Sequence, residues 1–222
     1  MDDKKSVGVY AASLVKDGQI VGLGTGSTTA FTIIELGKRM QNGEISIYGI
    51  PTSFQAKLLA IESKIPITSL EEYDIDIAID GADEVNPDLH LLKGRGGALL
   101  QEKIIDYGAK KFVVVCEERK FVDTLGKSFP ITLEVFPLAY RKVFESLLSL
   151  GKPILRIDER KDGPVITDNG NFIIDLYTSV KNPKSTEKEL NDIPGIFENG
   201  IFTCKCEAIY MKKGKLEVVK SK

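Results

Sequence analysis

The chain has 222 residues, 42% of them hydrophobic, with a formal net charge of -2 and one histidine. That length holds one large domain or a main domain with a small companion, and the near-neutral charge excludes a general basic field for nucleic acid or an anionic membrane. No stretch approaches the roughly 18 apolar residues of a membrane span, the N-terminus lacks the long apolar core of a secretion signal, and an odd number of cysteines argues against a disulfide framework, so a cytoplasmic protein is expected.

The pattern along the first 116 residues alternates helix and strand. "KKSVGVYAASLV" reads as a helix, "QIVGL" as a strand, and "STTAFTIIELGKRM" as a helix with Ser27 and Thr28 suited to its N-cap. "ISIYGI" is a strand, "SFQAKLLAIES" a helix, "YDIDIAID" a strand, "GGALLQEKIIDYGA" a helix and "KFVVVC" a strand. Such alternation implies a mostly parallel sheet with helices on its faces. After an expected linker near Asp123–Ser128 the pattern changes. "FPITLEV", a helix near "AYRKVFESLLSL", "PILRID" and "NFIIDLY" suggest a smaller α+β unit. At the end, "GIFTCKCEAIYM" and "KLEVVK" are expected to pair across the turn "KKGK". The expected ranges are 1–126 plus about 203–222 for the main domain and about 127–202 for the smaller one.

"GLGTGSTT", residues 22 to 29, follows a strand and opens a helix. Glycines let the backbone approach a ligand, and the free N–H groups of a helix N-terminus attract an anion. A nucleoside triphosphate loop needs Lys–Ser or Lys–Thr after the last glycine, and none is there. The dinucleotide fingerprint needs a different glycine spacing and a carboxylate after the next strand, where this chain has "GIPTSF". One phosphate or a polar sugar fits better. A tight turn with a hydroxyl cap and no ligand would use the same residues.

"DGADE" puts Asp80, Asp83 and Glu84 in one turn at the end of an apolar strand, where open parallel sheets place their ligands. Crowded carboxylates serve acid–base work, bind Mg²⁺, or simply face solvent. The spacing does not match a calcium loop, so no metal is expected. "KGRGG" is a second glycine-rich junction, carrying Lys93 and Arg95, and lysine can stabilise a developing oxyanion or hold a phosphate. Glu102, in the helix that follows, is either a surface partner of its helical neighbours or a base at the mouth of the sheet. With one histidine and no nucleotide fingerprint, the chemistry that fits is proton transfer between adjacent carbons of a sugar phosphate. A carboxylate takes the proton and a cation or hydrogen-bond donor stabilises the enediolate, with no metal or redox cofactor.

"GLGTGSTT", "TSFQAKLLA", "DIAIDGADEVNPDLHLLKGRGGALLQEKII", "ERKFVDTLG" and "IPGIFENGIF", in that order, resemble ribose-5-phosphate isomerase type A. The resemblance implies interconversion of D-ribose 5-phosphate and D-ribulose 5-phosphate in the non-oxidative pentose phosphate pathway. It implies a Rossmann-like α/β domain with a smaller α+β, ferredoxin-like domain, no cofactor, and a homodimer or homotetramer. It places the proton-transferring carboxylate at Glu102 and the acidic turn at Asp80, Gly81, Ala82 and Asp83. The lysine loop falls at Lys93, Gly94, Arg95 and Gly96, and the first loop at Thr25, Gly26, Ser27 and Thr28. Further substrate lysines fall at Lys120 and Lys4. Ring opening and O1/O2 proton transfer stay undivided between Asp80 and Asp83. Where the family commonly carries a histidine near "ENGIF", this chain has Asn199 and Gly200.

Two other readings use the same loops. One is an amino-sugar phosphate deaminase or a lactonase, which would lean on His90. The other is a non-catalytic sugar-phosphate sensor, which normally adds a DNA-binding helix-turn-helix. Cys204 and Cys206 are expected on one face of a strand, as core packing, and Cys116 as a buried apolar residue. Thr52 and Ser53 open a helix after a strand and are expected as its caps, with lining of the crevice as the alternative.

Overall fold

The computed structural model describes residues 3–221; residues 1, 2 and 222, which the expected ranges include, lie outside it. In chain order the elements are α1 (Asp3–Ser13), β1 (Ile20–Leu23), α2 (Thr29–Gln41), β2 (Tyr48–Pro51), α3 (Phe54–Glu62), β3 (Ile77–Gly81), β4 (Glu84–Val85), β5 (Leu91–Leu92), α4 (Leu99–Gly108) and β6 (Phe112–Val115). They continue with β7 (Ile131–Val135), α5 (Tyr140–Leu147), β8 (Lys152–Leu155), β9 (Phe172–Tyr177), α6 (Pro183–Asn191), β10 (Ile196–Asn199), β11 (Ile201–Phe202), β12 (Glu207–Lys212) and β13 (Lys215–Lys220). Among the described residues no helix is long and apolar enough to cross a membrane.

The chain forms two compact units, the first from 1–82, 101–120 and 204–222, the second from 83–100 and 121–203. This division departs from the expected ranges. Residues 83–100 fall in the second unit because β4 and β5 pair antiparallel with each other, and β5 with β11. Strands of two residues are too short to show a hydrophobic period, so they leave no trace in the sequence.

The first unit is a six-stranded sheet in the order β13-β12-β6-β3-β1-β2. All pairs are parallel except the β12–β13 hairpin. Alternate residues of the apolar strands face opposite ways. Val21, Leu23, Ile77, Ile79, Val113, Val115 and Ile209 share one buried cluster with Val7 and Ala11 of α1, Ile33 and Leu36 of α2, and Ala56 and Ala60 of α3. The other face offers Gly22 and Ala78, small enough for Ile105 of α4 to close down on them. Helices therefore cover both faces. The chain runs outward from β1 to β2, then returns to the other side of β1 as β3. The reversal leaves a crevice at the C-terminal ends of β1 and β3, where such sheets take their ligands.

The second unit contains β7-α5-β8-β9-α6-β10, whose four strands form an antiparallel sheet in the order β10-β7-β9-β8. This is the ferredoxin-like arrangement. Ile131, Leu133 and Val135 of β7 join Ile174 and Leu176 of β9 in a cluster with Val143 and Leu147 of α5 and Leu190 of α6. The opposite face is buried but polar, carrying Thr132, Glu134 and Asp175. There Thr167 Oγ1, Asn169 Nδ2 and Asn171 Nδ2 all donate to Glu134 Oε1. Such a face needs satisfied hydrogen bonds in place of apolar packing.

The expected single strand through 200–211 is instead two, β11 and β12, in different units. Cys204 and Cys206 lie in the irregular stretch between them, so they do not share a strand face. Neither forms a disulfide, nor does Cys116.

Candidate active site

In the first unit the glycine loop is built against the end of β3. Asp80 is fully buried, and its Oδ1 accepts from the Thr25 amide at 3.0 Å and the Gly81 amide at 2.6 Å. The loop can come this close only because residue 24 has no side chain: a Cβ there would overlap the Asp80 carboxylate. Thr25 Oγ1 lies 2.8 Å from Thr52 Oγ1 and 2.6 Å from Ser53 Oγ. The loops after β1 and β2 thus share a cluster of three hydroxyls. Ser53 also accepts from the Ala56 amide as the N-cap of α3. The expected capping role is met for Ser53, and Thr52 belongs to the hydroxyl cluster.

Thr28 sits at the N-cap of α2 with φ -84° and ψ -42°, and its side chain makes no capping bond. Its backbone is already helical, which turns the hydroxyl away from the N–H groups it was expected to serve. The Gly26 carbonyl instead accepts from the Ala30 amide and the Thr29 hydroxyl. Ser27 is exposed and accepts from Lys4 Nζ at 3.0 Å. Lys4 also lies 3.8 Å from Glu117 Oε2. A hydrogen bond from Arg119 holds that carboxyl below the usual range. Lys120 is half-buried at the end of a short 3-10 turn, Glu118–Lys120.

Glu102 lies in the first turn of α4 and is 5% exposed. Its side chain therefore lies in the interior and not on the surface. Among described residues no group of three or more His, Cys, Asp and Glu side chains is placed to hold a metal ion.

The second unit carries the rest of the acidic turn and the lysine loop. The Asp83 amide donates to the Leu92 carbonyl at 2.8 Å, and Asp83 Oδ2 accepts from the Arg95 amide at 3.0 Å. Lys93 is buried, with Nζ 5.4 Å from the centre of the Phe202 ring. Gly94 has φ +108° and backs onto Thr132, a conformation that a side chain would strain. Arg95 is exposed and its guanidinium lies over Phe129, so its contribution to the turn is its amide. Glu84, buried beside Asp83, accepts from the Gly126, Ser128 and Phe129 amides. His90 is half-buried and donates its amide to Asn86 Oδ1. Burial holds its imidazole below the usual pKa.

The structure thus joins Thr25 to Asp80 and Lys4 to Ser27 in one unit, and Asp83 to Arg95 beside Lys93 in the other. Gly81 and Ala82 close the β3 end half-buried, and Gly96 is exposed on the lysine loop. Thr52 and Ser53 add their hydroxyls to the first loop, and Glu84 of the acidic turn is taken up by the 126–129 amides.

The family model for ribose 5-phosphate isomerase A (phosphoriboisomerase A) matches residues 48–215. The chain belongs to that family. Ribose-5-phosphate isomerase A of Methanocaldococcus jannaschii is 53% identical over 204 residues, covering 91% of this chain and 90% of the relative. A solved structure of that organism's enzyme superposes with a TM-score of 0.96 at 50% identity, covering 99% of this chain and 98% of the other. A solved D-ribose-5-phosphate isomerase in complex with phospho-erythronic acid matches at a TM-score of 0.96 and 49% identity, with 99% and 98% coverage.

Proposed function

We propose that Glu102, Lys93, Asp80 and Asp83 carry the chemistry of this chain. The reaction is the aldose–ketose isomerisation of ribose 5-phosphate in the pentose phosphate pathway, the activity of the family. In the open-chain aldose, the Glu102 carboxylate takes the proton from C2. Electrons move into the C1 carbonyl to give an enediolate, and the same proton returns to C1 to give D-ribulose 5-phosphate. Lys93 supplies the positive charge that stabilises the enediolate oxygens. Asp80 and Asp83 open the furanose ring and move the O1/O2 proton. Thr25, Gly26, Ser27, Thr28, Lys4 and Lys120 hold the polar ends of the substrate, with Gly81, Ala82, Gly94, Arg95 and Gly96 lining it by backbone. No step calls for a metal or a redox cofactor.

The observation that carries this reading is the burial of Glu102, since a helical glutamate is ordinarily solvated. The phospho-erythronic acid held by the solved relative supports it, because the planar, negatively charged carboxylate of a four-carbon acid phosphate matches the charge and planarity of an enediolate, whose two oxygens sit on adjacent trigonal carbons. The same reading includes a cytoplasmic location and a homodimer or homotetramer. Support for assembly comes from Phe54, Leu58 and Ile61, an exposed apolar stripe on α3, and light scattering tests it.

The deciding experiment follows ribulose 5-phosphate formation with a chelator present, in the native chain and in Glu102→Gln. The substitution is expected to lower kcat by about 10²- to 10⁴-fold, with KM within a few-fold of native. Equal losses in binding and turnover would remove Glu102 as the base. Native protein that binds ribose 5-phosphate without turnover would instead be a sensor.

A further inference from the structure

Residues 93–98, between β5 and α4, carry Lys93 without helix or sheet to hold them. Local bonds fix part of the loop, from the Lys93 amide to the Gly200 carbonyl and from the Gly97 amide to the Gly94 carbonyl. The carbonyls of Gly94 and Arg95 are held from elsewhere. Both accept from Nη1 of Arg156, each at 3.1 Å.

Arg156 follows β8, and its amide continues the ladder to the Ile173 carbonyl. Its Nε donates to Asp175 Oδ2 at 2.7 Å, and Nη2 to Asp175 Oδ1 and, at 3.1 Å, to Thr132 Oγ1. All five N–H groups of the guanidinium are therefore engaged. The side chains of the pair are 19% and 13% exposed. Thr132 is also the residue on which Gly94 rests. The polar face of the ferredoxin-like sheet is thus a floor for the lysine loop.

We propose that Arg156, seated on Asp175 and Thr132, is a positioning residue for the isomerase. It fixes the Gly94 and Arg95 peptides, and through them the Lys93 side chain on one side and the Arg95 amide that binds Asp83 on the other. The proposal rests on Lys93 and Asp83 acting in the reaction. A lysine cannot replace Arg156, because three donors on one nitrogen cannot span two carbonyls, a hydroxyl and both carboxylate oxygens.

The test compares Arg156→Lys, Arg156→Ala and Lys93→Ala with native protein, well below each melting temperature. Arg156→Lys is expected to lose about 10- to 100-fold in kcat, the scale of a misplacement near 1 Å, with KM within about 3-fold. Guanidinium chloride at low millimolar concentration is expected to raise the kcat of Arg156→Ala several-fold over sodium chloride at the same ionic strength. Native kcat in Arg156→Lys, or a loss in Arg156→Ala that tracks the unfolded fraction and is not rescued, would overturn the proposal. Lys93→Ala at native turnover would overturn the Lys93 assignment beneath it. Lys93→Ala inactive beside fully active Arg156→Lys would sink the positioning role alone.

Discussion

Gly24 and Asp80 are packed backbone to backbone: a Cβ on Gly24 would stand 2.5 Å from the Asp80 Cα. No side-chain rotation relieves that overlap, so Gly24→Ala has to push the loop off β3 and break the Thr25–Asp80 bond. Destabilisation of about 1–3 kcal/mol is expected, with kcat/KM falling further than stability alone explains. Urea unfolding beside steady-state kinetics checks it. A stable, fully active variant would mean that the loop has slack which the packing denies.

Ser53 and Thr52 make an instructive pair. Ser53→Ala removes both the α3 cap and a bond to Thr25, a cost of about 1–2 kcal/mol. Thr52→Val removes one bond and keeps the shape of the side chain, so it is expected to cost less. Thermal unfolding ranks the two, and the reverse order would show that the cap contributes little.

Glu84 takes one amide on Oε2 and two on Oε1. Glu84→Gln keeps the volume but turns an NH₂ group toward one of those donors. A loss of about 2–3 kcal/mol is expected. A urea midpoint close to native would show that the 126–129 segment holds itself.

Asp76 carries a pH signature. Its carboxylate accepts from Lys110 Nζ and the Ile20 amide, at 2.8 and 2.9 Å. The Lys110 hydrogen bond first, then the Ile20 amide, holds its carboxyl below the usual aspartate range. A depressed acid stabilises the fold above its unfolded pKa, and this contribution is lost as pH falls through the folded pKa. Asp76→Asn is therefore expected to be less stable near neutral pH, by about 1 kcal/mol or less for so exposed a pair. The gap should close in acid, as pH falls through that lowered pKa. A gap that persists in acid would point to the altered shape of the side chain.

Burial raises the Cys116 and Cys206 thiols to about 12, so neither is a nucleophile near neutral pH. Cys204 is only half-buried. A thiol reagent at mildly alkaline pH is expected to modify Cys204 first and the other two only on unfolding. Rapid reaction of all three would mean that the irregular 203–206 stretch opens readily.

What the sequence made legible was local chemistry. "GLGTGSTT" and "DIAID" announce a glycine turn and a terminal aspartate, and the fold brings Thr25 and Asp80 together because consecutive α/β strands lie side by side. The Thr28 cap was misread because a residue type favours a cap only when its backbone is extended. Arg156 and the partners of Glu84 were illegible for another reason. The carbonyls held by Arg156 lie 61 and 62 positions away, and the amides held by Glu84 lie 42 to 45 positions away. No motif spans such distances, and in "PILRID" an arginine reads as a strand-end charge. The two-residue strands β4, β5 and β11 were lost to brevity.

The place of β12 in the chain has a consequence for synthesis. Residues 207–209 pair with 113–115 of β6, yet all of 121–203 is made between them. Until β12 emerges, the valines at 113, 114 and 115 end the sheet with unpaired backbone. Pairing across so long a loop is slow, and a bare apolar strand edge invites association with other chains. The nascent protein is therefore most exposed to aggregation after the second unit has formed and before its final hairpin closes the first.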